Sequence, residues 1–380
     1  MKITVLNDAS AKGGDNAEGR VSATPDTVKA YVGAGHEVTV VKGAGAAANF
    51  ADALYKEAGA SIAASNAAAA KSADLVMSIT GRDAKFVAGL KKGAGITGLM
   101  NPTDNPKYAA AAAKAGVTAF ALEYIPRISR AQSMDILSSQ SNLSGYRSVV
   151  EGASIYGRAM PMMMTAAGTV APAKCFIMGV GVAGLQAIAT ARRLGAVTTA
   201  TDVRPATKEQ VASLGAKFIA VENDEFKEAE TAGGYAKQMS AEYQKLQAEL
   251  TASHIAKQDI VITTALIPGR DAPVLVTKAM LDTMRPGSVL VDLAAERGGN
   301  VEGAKPGEIV TTKNGVKIVG HLNWPARMAS DPSSLFARNL RNFLPLVTAE
   351  DGSYVPDWED EIIKGCALTR DGKVVHERLL

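Results

Sequence analysis

Residues 174–187 read Lys174-Cys-Phe-Ile-Met-Gly179-Val-Gly181-Val-Ala-Gly184-Leu-Gln-Ala, and Asp202 follows Gly184 by 18 residues. Each part has a physical role in holding a dinucleotide. Cys175–Met178 is a short apolar run, as a buried strand should be. Gly179 permits the tight turn that leaves it, and Gly181 lets a pyrophosphate approach the backbone and the N-terminus of the next helix. Gly184 lets that helix, Leu185 to Leu194, pack on the strand. A second apolar stretch, Ala196–Ala200, ends at Thr201-Asp202. There a carboxylate can accept hydrogen bonds from an adenosine ribose and would repel a 2′-phosphate, which predicts NAD(H) in preference to NADP(H). A Gly-rich turn alone often only connects elements. With strand, helix and terminal acid in place, this one predicts a Rossmann unit.

A chain of 380 residues has room for two domains, each with its own core. Apolar residues make up 47% and charged residues 21%, as in ordinary globular proteins, and aromatics at 5% favour close packing of helices on sheets. A formal charge of +3 is too small to predict a nucleic-acid partner. Cys175 and Cys366 lie too far apart in sequence to suggest a disulfide framework, and the four histidines (His36, His254, His321, His376) nowhere fall at metal-ligand spacing. The chain opens on the strand-like Lys2–Asn7, so no leader is expected. Cys175–Ala191 is uncharged but Gly-rich and short for a membrane span, and the glycine turn accounts for it. A cytoplasmic chain without a transmembrane segment is expected.

Residues 2–125 alternate apolar runs with helical patterns. Strands are predicted at 2–6, 37–41, 74–79, 95–100 and 118–124, with helices near 25–34, 50–59, 83–92 and 105–115. That alternation predicts a parallel α/β domain. Gly43-Ala44-Gly45 lacks the third glycine and the downstream acid and reads as a loop. A helical stretch over 129–165 leads into the second domain, whose further strands are predicted at 217–221, 259–265, 288–293 and 316–320, a six-stranded Rossmann count. Another helix is expected near 333–347, then a hairpin from Cys366–Arg370 to Lys373–His376 around Asp371-Gly372. The fold class is therefore α/β, two Rossmann-like domains with parallel sheets separated by a cleft. The boundaries expected are 1–137 plus 328–380 for the first domain, completed by the C-terminal segment, and 138–327 for the second.

Two stretches leave alternatives open on the residues alone. Glu222–Gln258 is longer than a plain Rossmann connection and carries Thr231-Ala-Gly-Gly234-Tyr235 at its middle. Paired glycines and a flat amphipathic ring suit a mobile loop near 222–240 that closes on a ligand, and equally a solvated helical excursion. Arg127-Ile128-Ser129-Arg-Ala-Gln132-Ser-Met-Asp135-Ile-Leu-Ser138 places an amide, a carboxylate and a hydroxyl three apart behind Ser129 as N-cap, with Met134, Ile136 and Leu137 toward the core. Such a set suits a nicotinamide carboxamide and ribose, and it also suits a Ser-rich solvated face.

Arg127–Arg147 (RISRAQSMDILSSQSNLSGYR), Met162–Thr169 (MMMTAAGT), GVGVAGLQAIATA, TDVRPATKEQ, ETAGGYAK and TTALIPG together resemble the NAD(H)-binding domain of proton-translocating nicotinamide nucleotide transhydrogenases. The similarity is to the split form, in which this domain is a separate polypeptide, the first segment of a divided alpha subunit, and it is related in turn to alanine dehydrogenase. The resemblance implies that NADH bound here passes a hydride to NADP⁺ held by a partner beta subunit, while a membrane-spanning second alpha segment couples the transfer to proton movement. It implies that Gln132, Arg127, Asp135 and Ser138, with Ile128 and Ser129, surround the nicotinamide end. Gly179, Gly181, Val182 and Gly184 would form the turn, with Asp202, Val203 and Arg204 at the adenosine ribose, Gly234 and Tyr235 in a closing loop, and Leu266 after the fourth strand. It also implies a homodimer, held peripherally at the cytoplasmic face of the inner membrane through its partners. The N-terminal stretch matches less well, with Asn7-Asp8-Ala9 and Glu18-Gly-Arg20-Val-Ser in place of the family's Pro-Lys-Glu and Glu-x-Arg-Val-Ala.

A self-contained alanine-type dehydrogenase is the rival reading, with a non-catalytic NAD-sensing module as a third. Reducing a keto acid needs a proton donor and a cation for the carboxylate. In alanine dehydrogenases a lysine and a histidine supply them. The matching strand ends here, Met77-Ser78-Ile79-Thr80 and Leu99-Met100-Asn101-Pro102, have neither. Only Arg20 remains, at a position resembling a substrate-binding arginine. Hydride transfer between two nicotinamides requires no protein acid or base, only two rings in near contact.

Overall fold

Buried parallel strands read as unbroken apolar runs because helices cover both of their faces. The computed structural model describes residues 1–9, 16–228, 239–266 and 270–380, and it contains two sheets built on this rule. The first comprises β1 (Lys2–Val5), β2 (Glu37–Val41), β3 (Ser61–Ala63), β4 (Leu75–Thr80), β5 (Gly95–Leu99) and β6 (Thr118–Ala121), all parallel, in the order β3-β2-β1-β4-β5-β6. Ile3 and Val5 face one core with Leu75 and Met77, whereas Leu6 and Val76 face the other with Ile96, the two-residue period of a strand. β3 escaped prediction because Ser-Ile-Ala is too short to carry a periodicity. Its place at the sheet edge is set by pairing with Thr39–Val41.

The antiparallel hairpin of β7 (Met163–Thr165) and β8 (Gly168–Val170) precedes the second sheet. That sheet comprises β9 (Lys174–Met178), β10 (Val197–Thr201), β11 (Lys217–Phe218), β12 (Ile260–Thr263), β13 (Val289–Asp292), β14 (Ile309–Thr311) and β15 (Lys317–Val319), in the order β11-β10-β9-β12-β13-β15-β14. Six strands repeat the 3-2-1-4-5-6 order of the first sheet. β14 is a seventh, antiparallel to β15, and corrects the six-strand expectation. Its half-exposed Ile-Val-Thr needs only one neighbour, so no continuous apolar run marks it. Cys175 and Ile177 pack with Ala187, Ile188 and Ala191 on one side, while Phe176 and Met178 pack with Val261 and Leu290 on the other.

The predicted helix over 129–165 is three elements. Ser129–Met134 is a 3-10 turn, Ile136–Tyr156 is an α-helix, and the chain beyond Gly157 and Pro161 forms the β7–β8 hairpin. Helix Ser330–Phe343 occurs where one was expected, and the C-terminal hairpin is formed by β16 (Thr369–Arg370) and β17 (Lys373–Val374).

The chain divides into two compact units. One contains β1, Ala17–Gln140 and Pro325–Leu380, and the other contains Ser141–Trp324. In the first, Thr369 Oγ1 accepts from Ala119 N–H at 2.9 Å and donates to the Val117 carbonyl at 2.7 Å, fixing the tail to β6. Among the described residues no helix is long and apolar enough to cross a membrane.

Candidate nucleotide-binding site

The turn after β9 is shaped by what a side chain would collide with. Gly179 has φ +101°, and a Cβ on it would meet Thr264 Oγ1 at 2.5 Å. Thr264, at the end of β12, instead donates to the Gly179 carbonyl at 3.1 Å. A Cβ on Gly184 would lie 1.9 Å from that same carbonyl oxygen, so the helix Val182–Arg193 sits against the strand end as only glycine allows. Gly181 is the N-cap, and a Cβ there would meet nothing within 4 Å. Gly181 has no side chain to cap this helix, so its first N–H groups have no acceptor from the N-cap and stand at the positive end of the dipole. That is the environment a pyrophosphate requires. Val182 is exposed beside it.

Asp202 is at the tip of β10, with its side chain only 7% exposed. One carboxylate oxygen accepts from Val180 N–H at 2.7 Å, which joins the strand tip to the glycine turn. The other accepts from Arg204 N–H and Nε, both at 2.9 Å, and Arg204 Nη2 reaches the first oxygen at 3.0 Å. Val203 between them is exposed.

Leu266, beyond β12, is exposed too, and the backbone leading to it is clamped. Asn300, fully buried, accepts from Ala265 N–H at 3.0 Å through Oδ1 and donates from Nδ2 to the Ala265 and Pro273 carbonyls at 2.9 and 2.8 Å. Asn300 is held in turn by Asp292, whose buried carboxylate accepts from the N–H groups of Ala294, Asn300 and Val301 and from Thr263 Oγ1. Burial pushes the Asp292 carboxyl above its ordinary value, against these hydrogen bonds. Sequence reasoning missed both residues. The available signal was Val-Leu-Val-Asp292, an apolar run ending in an acid as at Asp202, followed by Gly298-Gly299.

The residues expected at the nicotinamide end belong to the other unit. Ser129 is not an N-cap but the first residue of the 3-10 turn. Asp135 takes the capping position of helix Ile136–Tyr156, accepting from Ser138 N–H at 2.9 Å and from the Ser138 hydroxyl. Gln132, Asp135 and Ser138 therefore do not share one helix face, because the helix begins only at Ile136. Arg127 and Gln132 are exposed, and Ile128 is half-buried. Met134 and Ile136 are buried as expected, whereas Leu137 faces solvent at 42% exposure. Gly234 and Tyr235 lie outside the described residues.

Residues 12–144 match the family model of the alanine dehydrogenase/PNT N-terminal domain, and residues 148–377 match that of its C-terminal domain. The chain belongs to the alanine dehydrogenase/PNT family. It is 54% identical over 370 residues to the first segment of NAD(P) transhydrogenase subunit alpha of Rhodospirillum rubrum, covering 95% of this chain and 96% of that one. The crystal structure of transhydrogenase from Sinorhizobium meliloti superposes with a TM-score of 0.85 at 49% identity over the whole of both chains. Alanine dehydrogenase 1 of Staphylococcus aureus is 31% identical over 323 residues, covering 81% of this chain and 78% of that one. Within the family the chain thus stands with the transhydrogenase alpha subunits, nucleotide-binding proteins with oxidoreductase roles.

Proposed function

We propose that this chain is the NADH-donating subunit of a proton-translocating transhydrogenase. It binds NAD(H) and presents the dihydronicotinamide for hydride transfer to NADP⁺ held by a beta subunit, and a membrane-spanning second alpha segment couples that transfer to proton movement. The observation that carries the reading is the uncapped helix N-terminus behind Gly181, with the Asp202 carboxylate at the tip of the neighbouring strand. These are a cradle for a pyrophosphate and an acceptor for a ribose diol. Gln132, Arg127, Ile128, Ser129, Asp135 and Ser138 would hold the nicotinamide end. The chemistry asks nothing more of the protein than to position the ring, since the hydride passes directly between nicotinamides.

The state of Arg20 weighs against an amino-acid dehydrogenase. Its guanidinium donates to both oxygens of Glu18, at 2.8 and 2.7 Å, and to Gln140 Oε1 at 2.8 Å, with the arginine only 4% exposed. A cation already matched by a buried carboxylate is a poor receptor for a substrate carboxylate. A homodimer, peripheral to the membrane through its partners, completes the proposal. The exposed apolar side chains of Met162, Met163, Met164 and Val170 around the β7–β8 hairpin support self-association.

The test mixes the purified chain with NADH and the NADP-binding domain of a related transhydrogenase and follows reduction of NADP⁺. Transfer that needs both proteins, with no turnover of pyruvate and ammonia by this chain alone, is expected. Gln132→Asn should slow that transfer far more than it weakens NADH binding, because it misplaces the ring without detaching it. Pyruvate turnover would establish the dehydrogenase instead, and tight NADH binding without transfer would point to a sensing module.

A further inference from the structure

Four hydrogen bonds converge on the Asp202 carboxylate, from Val180 N–H, Arg204 N–H, Arg204 Nε and Arg204 Nη2, at 2.7 to 3.0 Å. Two carboxylate oxygens offer about four acceptor positions, so none is left for a ribose diol. One donor must yield when a nucleotide binds. The two backbone N–H groups hold the strand tip and the turn together and cannot leave without refolding them. The guanidinium, 32% exposed on a flexible stem, can rotate away. It is the exchangeable partner of Asp202, and it also reaches the Val180 carbonyl at 3.2 Å, at the edge of the turn.

This places a guanidinium two residues beyond the strand tip. That is where an arginine can receive the 2′-phosphate of NADP(H). We propose that Arg204 is a latent 2′-phosphate ligand that Asp202 keeps engaged, so selection of NAD(H) depends on the pair and not on the carboxylate alone. Asp202 acts twice, repelling the phosphate itself and occupying the cation that would otherwise attract it. The inference rests on the nucleotide-binding reading above and adds to it a specificity role for Arg204.

The test titrates the full chain with NADH and with NADPH, following nucleotide fluorescence, for the unsubstituted protein, Asp202→Asn, Arg204→Ala and the double variant. The amide oxygen that Asp202→Asn introduces can still accept from Val180 N–H, but it no longer holds the guanidinium by charge. NADPH affinity should therefore rise by roughly tenfold to a hundredfold, the range of a charge-assisted hydrogen bond. The double variant should lose most of this gain, keeping only the part that comes from relieving the repulsion of the phosphate by Asp202, and Arg204→Ala alone should show none. Asp202→Ser serves in place of Asp202→Asn if the latter does not fold. Equal NADPH affinity in Asp202→Asn and the double variant would overturn the proposal while leaving the nucleotide reading standing. No NADH binding by the unsubstituted chain would overturn both.

Discussion

Gly145→Ala sets helix propensity against packing, with opposite signs. Gly145 lies inside helix Ile136–Tyr156, where alanine is intrinsically preferred to glycine by about 1 kcal/mol. A Cβ at this position, however, would lie 2.0 Å from the Ala183 carbonyl oxygen and 2.9 Å from Ala183 Cα. Ala183 is in the first turn of the helix that follows the glycine turn, and backbone cannot step aside as a side-chain tip can. Restoring van der Waals contact requires the two helices to part by more than about 1 Å, which forfeits dispersion along the whole contact. Overpacking of this kind costs roughly 3 kcal/mol, so after the propensity gain the substitution should destabilise the second unit by about 2 kcal/mol. Urea unfolding followed through the buried Trp324, in a Trp358→Phe background, reads that unit directly. A lowered midpoint is expected, together with weaker NADH binding, because Ala183 lies in the helical turn whose N–H groups are proposed for the pyrophosphate. An unchanged or raised midpoint would refute the packing argument and leave propensity in control.

Gly33→Ala is the matched control. It lies at the end of helix Pro25–Gly33, a Cβ there meets nothing within 4 Å, and a gain of about 0.5 kcal/mol in unfolding free energy is expected. Asp8 is fully buried, and burial pushes its carboxyl up to about 6 despite Arg82 nearby, with Glu18 adding to the rise. Ser78 Oγ lies 2.6 Å from Asp8 and 2.7 Å from the Thr80 carbonyl, and its single proton satisfies both only if Asp8 is itself protonated and donates. The folded chain then holds a proton that the unfolded chain has released above its ordinary value of 3.8, so stability falls as pH rises from about 4 through 6. Asp8→Asn, whose amide can donate to Ser78 and accept from Ile79 N–H, should abolish a loss on the order of 3 kcal/mol, visible as unfolding midpoints that separate between pH 4.5 and 7.5. Asn300→Ala strands the Ala265 N–H and two carbonyls, and calorimetry should show a loss of about 3 kcal/mol, with weaker NADH binding in a parallel titration. Met164→Asp, at a side chain 74% exposed, should shift the chain toward monomer in light scattering without lowering its melting temperature.

What could be read from residues alone was local. The strand at Cys175–Met178, the turn at Gly179 and the acid at Asp202 follow from apolar runs and glycine spacing. Those signals require nothing beyond about thirty neighbouring residues. The same holds for nearly every central strand, because burial on both faces writes itself as consecutive apolar residues. The edge strands Ser61–Ala63 and Ile309–Thr311 left no such trace, since each is defined by the neighbour it pairs with. Three residues with one buried face carry no period.

The candidate site divides along the same line. Sequence spacing placed an amide, a carboxylate and a hydroxyl three apart, but the helix starts at Ile136, so Asp135 and Ser138 serve as its cap. A cap is chosen by where the preceding turn ends, and residues 129–134 wind as a 3-10 turn against their own core instead of extending the helix. The sequence by itself determined the fold class, the dinucleotide turn and the acid at its strand tip, because backbone sterics and apolar periodicity act over short range. Only the tertiary structure decided that Arg204 occupies that acid, that Asn300 clamps Ala265, and that Gly145 admits Ala183. Each is a meeting between atoms whose approach is set by the packing of whole helices and strands, and no spacing along the chain encodes that distance.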